Sequence, residues 1–149
     1  MAANSKRERI VQQVVTELEA VSSVTTVIRK LPTYEDLGKF ALTQLPVVAV
    51  VAGLPVPIPH PATRGTGKDI FLSELALSLY CYFQDNVNPD STLSTLLDDL
   101  WAKLYTDQEK AGLALGTVLK PTAHQDYWHP FYAFRLDAII TYTHGIGGI

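Results

Sequence analysis

The chain of 149 residues has one cysteine, Cys81, so no intrachain disulfide framework can form. Cysteine poverty of this kind fits a reducing compartment. Charge is also scarce: Asp, Glu, Lys and Arg make up 18% of the residues, against the ~25% usual for soluble domains. Hydrophobic residues stand at an ordinary 47%. The shortage therefore falls on charged surface and points to surface that is not meant for water. No basic excess exists. A net charge of −3 and a pI of about 5.7 argue against a nucleic-acid wrapper or a polybasic membrane binder. Long apolar runs are missing too. The longest, Leu45 to Leu54, is broken by Pro46 and Gly53 and falls short of the ~20 residues that span a bilayer. Internal repeats and low-complexity tracts are absent. Met1 to Arg9 leads into an amphipathic run instead of an apolar stretch, so no targeting segment is expected, and a soluble protein made in the cytoplasm is. The length suits one domain, 1–149, large enough to bury ~68–70% of its unfolded surface around one core.

Hydrophobic spacing divides the chain. Ile10, Val11, Val14, Val15, Leu18 and Val21 recur at helical intervals and predict a helix from about Lys6 to Val21. Ser5 and Glu8 have the spacing of a capping box. Lys6 and Arg7 are badly placed for the helix dipole; they read as solvated charges, or as contacts to an acidic partner. Val24 to Arg29 predicts a strand, Lys30 to Lys39 a loop, and Val-rich Pro46 to Ala52 a strand covered on both faces. Gly53 to Lys68 carries Pro55, Pro57, Pro59 and Pro61, then Gly65 and Gly67. Prolines remove ladder donors, so a long projecting loop is expected. Its half from Leu54 to Pro61 should be stiff. The half from Ala62 to Lys68, with Arg64 and Lys68, should be mobile until a partner holds it.

Ile70 to Phe83 alternates cleanly as a strand, with Leu75, Leu77, Leu79, Cys81 and Phe83 on one face. Asp85 to Pro89 is a turn, and a second helix is expected after a cap at Asp90 or Ser91. Leu93, Leu96, Leu97, Leu100, Trp101 and Leu104 form its wide apolar stripe. Leu113 to Leu119 and Phe131 to Thr143 predict two more strands, and Gly145 to Ile149 a flexible tail. The order α-β-β-β-α-β-β implies an α+β fold, a mostly antiparallel sheet with two helices on one face. Leu97, Trp101, Leu79, Phe134 and Leu136 are expected to be buried together.

No catalytic constellation emerges. Gly65-Thr66-Gly67-Lys68-Asp69 fails as a phosphate loop: Ala62 stands where Gly is needed, and Asp69 where Ser or Thr is needed. His124, Asp126 and His129 have metal-ligand residue types but no recognised ligand spacing; a solvated aromatic-rich turn is the simpler reading. Cys81 alternates with core residues, and burial would keep its thiol inert. No Gly-x-Ser-x-Gly elbow occurs. The neighbours Glu35/Asp36 and Asp98/Asp99 read as solvated charges. No catalytic residue, cofactor or metal is expected.

What remains is apolar surface without a monomer's explanation. Val56 and Ile58 lie in the Pro-rich loop, Tyr80 and Tyr82 on a polar strand face, Tyr127, Trp128 and Pro130 in a turn, and Ile146 and Ile149 in the tail. Aromatic residues outside a core favour interfaces, which tilts the reading toward an assembly protein.

An ordered pattern runs through most of the chain. It comprises the helix with Ile10, Val14 and Leu18; Val24 to Arg29; Leu45-Pro46-Val47-Val48-Ala49-Val50 before the long loop; Leu75 to Phe83; Leu93 to Leu104; Asp107 and Gly112-Leu113-Ala114; and a last strand ending in Tyr142. In this it resembles the tail terminator, or tail completion, proteins of long-tailed bacteriophages. The resemblance implies an α+β subunit of a homo-hexameric ring in the virion, at the head-proximal end of the tail, assembled in the host cytoplasm. Such a ring caps the tail tube protein, stops its polymerisation and offers a surface for the head–tail connector protein. Genomic DNA passes through its lumen without specific binding, and an acidic chain suits that passage. No cofactor, catalytic residue or membrane is implied. Two other classes stay open: another neck or connector component, or a small metal-dependent enzyme using His124, Asp126 and His129.

Overall fold

The computed structural model describes residues 5–33, 35–36, 39, 45–58, 70–85, 87–108, 110, 112–128 and 131–145, with the backbone alone for 58, 70–71, 121–128 and 144–145. Helix α1 spans Lys6–Glu19. Ser5 caps it: the side-chain oxygen accepts the Glu8 N–H at 3.1 Å. The Glu8 carboxylate turns to the Arg29 guanidinium, which donates to it at 3.0 Å through Nη2 and also through Nη1. That hydrogen bond holds the Glu8 carboxyl below its ordinary range. Lys6 and Arg7 have structural work instead of the solvated positions expected of them. Lys6 Nζ donates to the Thr143 carbonyl at 2.5 Å, and Arg7 donates to the Gly53 carbonyl through Nε at 3.1 Å and Nη2 at 3.0 Å. The start of α1 is thereby tied to two strand ends, which offsets the unfavourable dipole placement.

The strands are β1 Thr26–Ile28, β2 Val47–Ala52, β3 Val56–Ile58, β4 Ile70–Phe83, β5 Gly116–Trp128 and β6 Phe131–Gly145, with helix α2 at Pro89–Thr106 between β4 and β5. They form a six-stranded sheet in the order β1-β2-β4-β6-β5. β1 runs parallel to β2, and every other pair is antiparallel. The fold is α+β, as the element order implied. β4 matches its sequence pattern end to end and pairs with β6 along its whole length, from Ile70↔Gly145 to Phe83↔Tyr132. On its other side β2 takes Leu77 to Tyr82, and β3 takes Leu72 to Glu74.

Several boundaries differ from expectation: β6 runs past Thr143 to Gly145, the first residue of the expected tail, and three others have a reason in local geometry. First, β3 occupies part of the expected projecting loop. Pro57 stands opposite Ser73; a proline is tolerated there because β3 is an outer strand and the missing N–H faces away from β4. The chain passes from β2 to β3 through Gly53, whose N–H bonds the Ala76 carbonyl at 2.9 Å, and a Cβ there would sit 3.2 Å from that oxygen. Second, α2 opens with Pro89 in its first turn and Asn88 as the cap residue, ahead of Asp90 and Ser91, because proline has the φ of a first helical residue and no N–H to orphan. Asp85 organises that entry: its carboxylate accepts the Val87 and Asn88 N–H groups, each at 2.9 Å, and the Thr92 hydroxyl. Those bonds hold its carboxyl below the usual range. Third, β5 continues to Trp128, beyond Leu119 where the sequence pattern breaks. Pro121 and a register slip between Pro121 and Gln125 interrupt the alternation.

Both helices cover the same sheet face. Ile10, Val11, Val14 and Leu18 of α1 and Leu96, Leu100 and Leu104 of α2 pack on Val48 and Val50 of β2, Leu75, Leu77, Leu79, Cys81 and Phe83 of β4, and Phe134, Leu136, Ala138, Ile140 and Tyr142 of β6. Paired register positions explain the set, since Val48, Cys81 and Phe134 share one row and Val50, Leu79 and Leu136 the next. Leu79, Phe134 and Leu136 are buried as expected, while Leu97 and Trp101 pack on the cluster half-buried. β2 is buried on both faces from Val47 to Val50, as its continuous valine run predicts.

One device inside this layer carries no apolar signal. Lys110, after α2, has a fully buried side chain and a positive φ of 51°. Its ammonium donates to the Leu104 carbonyl at 2.9 Å, the Asp107 carbonyl at 2.8 Å and Glu17 Oε1 of α1 at 3.3 Å. It closes the C-terminal end of α2 and joins the two helices. Glu17 is 6% exposed, and its second oxygen, Oε2, is buried with no hydrogen-bond partner among the described residues. Burial pushes the Glu17 carboxyl above its ordinary value of 4.5, against the pull of Lys110. The folded protein therefore holds that proton more tightly than the unfolded chain. Measured against Glu17→Gln, wild-type stability should fall as pH rises from near 4.5 through the raised folded value. Denaturant midpoints of the two proteins between pH ~4 and ~7 check this, and the carboxyls held low, Glu8, Asp36 and Asp85, cancel in the difference.

Candidate assembly surface

The other sheet face has no helix on it among the described residues. Its rows follow from the register. Toward the Phe83 end of β4, Ala49, Tyr82 and Phe131 are buried together, with Ile28, Leu45, Tyr80 and Ala133 packed around them. Tyr82 is thus a small second core and not the exposed aromatic that its polar strand face suggested. Tyr80 is half-buried. The Arg135 guanidinium lies over its ring, 5.6 Å from the centroid, and donates to Asp137 Oδ1 at 2.8 Å and Ser78 Oγ at 3.2 Å. Beyond that polar row the face turns apolar again. Val118, Ile139 and Ala76 share a row across β5, β6 and β4, and Val56 stands one row further, opposite Glu74. Val56 is 60% exposed, Val118 52%, and Leu54 between β2 and β3 83%. Lys120 and Asp137 face each other across β5 and β6 and border this patch.

Of the interface residues expected from sequence, Val56 lies at this patch. Ile58 is in β3, its backbone opposite Leu72, with its side chain outside the described residues. Tyr127 and Trp128 do not form a turn: both belong to β5, opposite Tyr132 and Phe131 at the end of a hairpin. Arg64, Lys68 and Ile146 lie outside the described residues, as do the loop 59–69, the tail 146–149, His129 and Pro130, and the side chains of His124 and Asp126. Among the described residues no group of three His, Cys, Asp or Glu side chains is placed to hold a metal ion. Cys81 is buried, and desolvation pushes its thiol far up. The acidic neighbours are divided by their surroundings. Asp36 and Thr33 exchange side-chain-to-backbone bonds at 3.1 Å in each direction, and Asp99 accepts the Ser23 hydroxyl at 2.6 Å, while Glu35 and Asp98 are exposed. Shallow grooves also mark the described surface. One of about 360 Å³ is lined by Tyr105, Thr106, Asp107, Gln108 and Leu115, and one of about 160 Å³ by Phe83, Pro89, Asp90, Leu93 and Tyr132.

Val118 and Ala76 were missed by the sequence reading because only the strand register puts them in one row. The available signal was Val118 itself, out of phase with Thr117 and Leu119, which face the helices. No described helix is long and apolar enough to cross a membrane. No protein-family model matches the chain, and no curated protein does.

Proposed function

We propose that the protein is a structural subunit of a phage tail terminator: a ring of copies, hexameric by the resemblance, that caps the tail tube, ends its polymerisation and presents a joining surface to the head–tail connector. The observation that carries this reading is the apolar row of Val118, Ile139 and Ala76, with Val56 beside it, on a sheet face free of helices among the described residues. An exposed apolar patch rimmed by Lys120, Asp137 and Glu74 has the make-up of a protein contact. Closed rings need two different patches on each subunit; the open face is proposed as one, and Arg64 and Lys68, in the basic stretch of sequence after Ile58, as part of another. Tyr127, Trp128 and Ile146 belong to the same proposal. The net charge of −3 suits a lumen that lets DNA pass without holding it.

Ala76→Asp combined with Val56→Asp tests it, because both positions are exposed and surface changes usually alter stability by only about ±0.5 kcal/mol. The expected result is a subunit with an unchanged circular dichroism spectrum that no longer completes tails, and tail ends without a six-fold ring in electron micrographs. Tails of normal length joined to heads would overturn the proposal.

A further inference from the structure

Among the described residues, β5 is the outermost strand on its side of the sheet. An outer strand presents unpaired N–H and C=O groups that can recruit another strand. The Leu119 N–H points away from β6 and donates to the Tyr105 hydroxyl of α2 at 3.0 Å. Outward and inward residues alternate along a strand, so Thr117 and Pro121 share the outward sense of Leu119. Pro121 has no N–H to offer, and directly after it the register slips. The Thr117 hydroxyl donates to the Gln108 carbonyl at 2.8 Å and so fastens the exit of α2 beside β5. From behind, Lys110 grips the same exit through the Leu104 and Asp107 carbonyls and anchors it to Glu17.

We propose that Tyr105 and the α2 exit are an edge guard, an autoinhibitory contact that keeps β5 from pairing with the β5 of a second copy of this chain. The guarded stretch is its own complement. Antiparallel pairing centred on Val118 sets Thr117 against Leu119, whose outward groups exchange both ladder bonds, and sets Lys120 against Gly116, so no like charges meet. Val118 and Leu115, both more than half exposed, add apolar area to that pairing. The guard rests on these contacts alone and stands whatever the ring's role.

Tyr105→Phe removes one hydroxyl and leaves the ring beside Trp101, whose centroid is 5.5 Å away. In the purified full chain, diluted until it sediments as a monomer, hydrogen exchange at the Leu119 amide should accelerate roughly tenfold, as loss of one hydrogen bond allows. Sedimentation at matched concentrations should show more self-association than wild type. Thr117→Val, which frees Gln108, is a second route to the same result. Adding Val118→Lys to either variant should return association to the wild-type level, because lysine on an edge strand blocks pairing. Unchanged exchange in both variants, faster exchange without added association, or association that survives Val118→Lys would each overturn the guard.

Discussion

Replacing Lys110 with alanine is expected to destabilise the protein by about 3–5 kcal/mol, the range for removing one partner of a buried ion pair. The ammonium is fully buried, its carboxylate partner is 6% exposed, and the carbonyls of Leu104 in α2 and Asp107 just after it depend on the same three protons. Alanine would leave the Leu104 and Asp107 carbonyls without that donor and strand the Glu17 charge in an apolar layer between α1 and α2. Backbone and side chain can be separated. Lys110 sits at φ 51°, where glycine is at ease and lysine is strained by roughly 1–2 kcal/mol. Lys110→Gly relieves that strain yet still removes the ammonium. If the ammonium is the reason for a lysine here, Lys110→Gly must remain strongly destabilised; urea midpoints near wild type for the glycine variant would refute the assignment. Glu17→Gln in the Lys110→Ala background should recover part of the loss, because a neutral amide is less costly to bury alone than a carboxylate.

Leu100→Ala should lower stability by about 2–5 kcal/mol, through lost transfer free energy and the cavity left behind. Leu100 is fully buried between α2 and the sheet, in the cluster that holds Leu79, Phe134 and Leu136. Leu97, one turn away, is only partly buried against that cluster, so Leu97→Ala should cost less. The stripe read from sequence is wide and contains both residues; its centre runs along Leu96, Leu100 and Leu104, not along Leu97 and Trp101. Equal losses for the two substitutions, or an unchanged midpoint for Leu100→Ala, would contradict this placement of the helix.

β4 could be read to the residue, because a two-residue alternation over 14 positions cannot be mistaken for a helix. α1 was legible from its stripe and from Ser5, though its last turn ends at Glu19 instead of Val21, since helix ends depend on local bonds that periodicity does not see. β3 and the second half of β5 were hidden by Pro57 and Pro121. Proline reads as a strand breaker unless the strand lies at an edge, and edge position is a property of the finished sheet. Glu17 gave a faint signal, a carboxylate at helical spacing from Ile10, Val14 and Val21. Lys110 gave none, lying in a polar segment after a helix.

The chain by itself determined which faces are apolar, that two helices share one side of a mostly antiparallel sheet, and that charge is too scarce to cover the surface. Those properties are periodic or compositional, and each is complete within a few turns or one strand. Only the tertiary structure decided that Tyr82 is buried, that Lys6 and Arg7 tie α1 to strand ends, that Lys110 reaches Glu17 across 93 residues, and that Val118, Ile139 and Ala76 form one row. Each of these requires groups far apart in sequence to meet, and a hydrophobic pattern says which side of an element turns inward without saying what it will meet there.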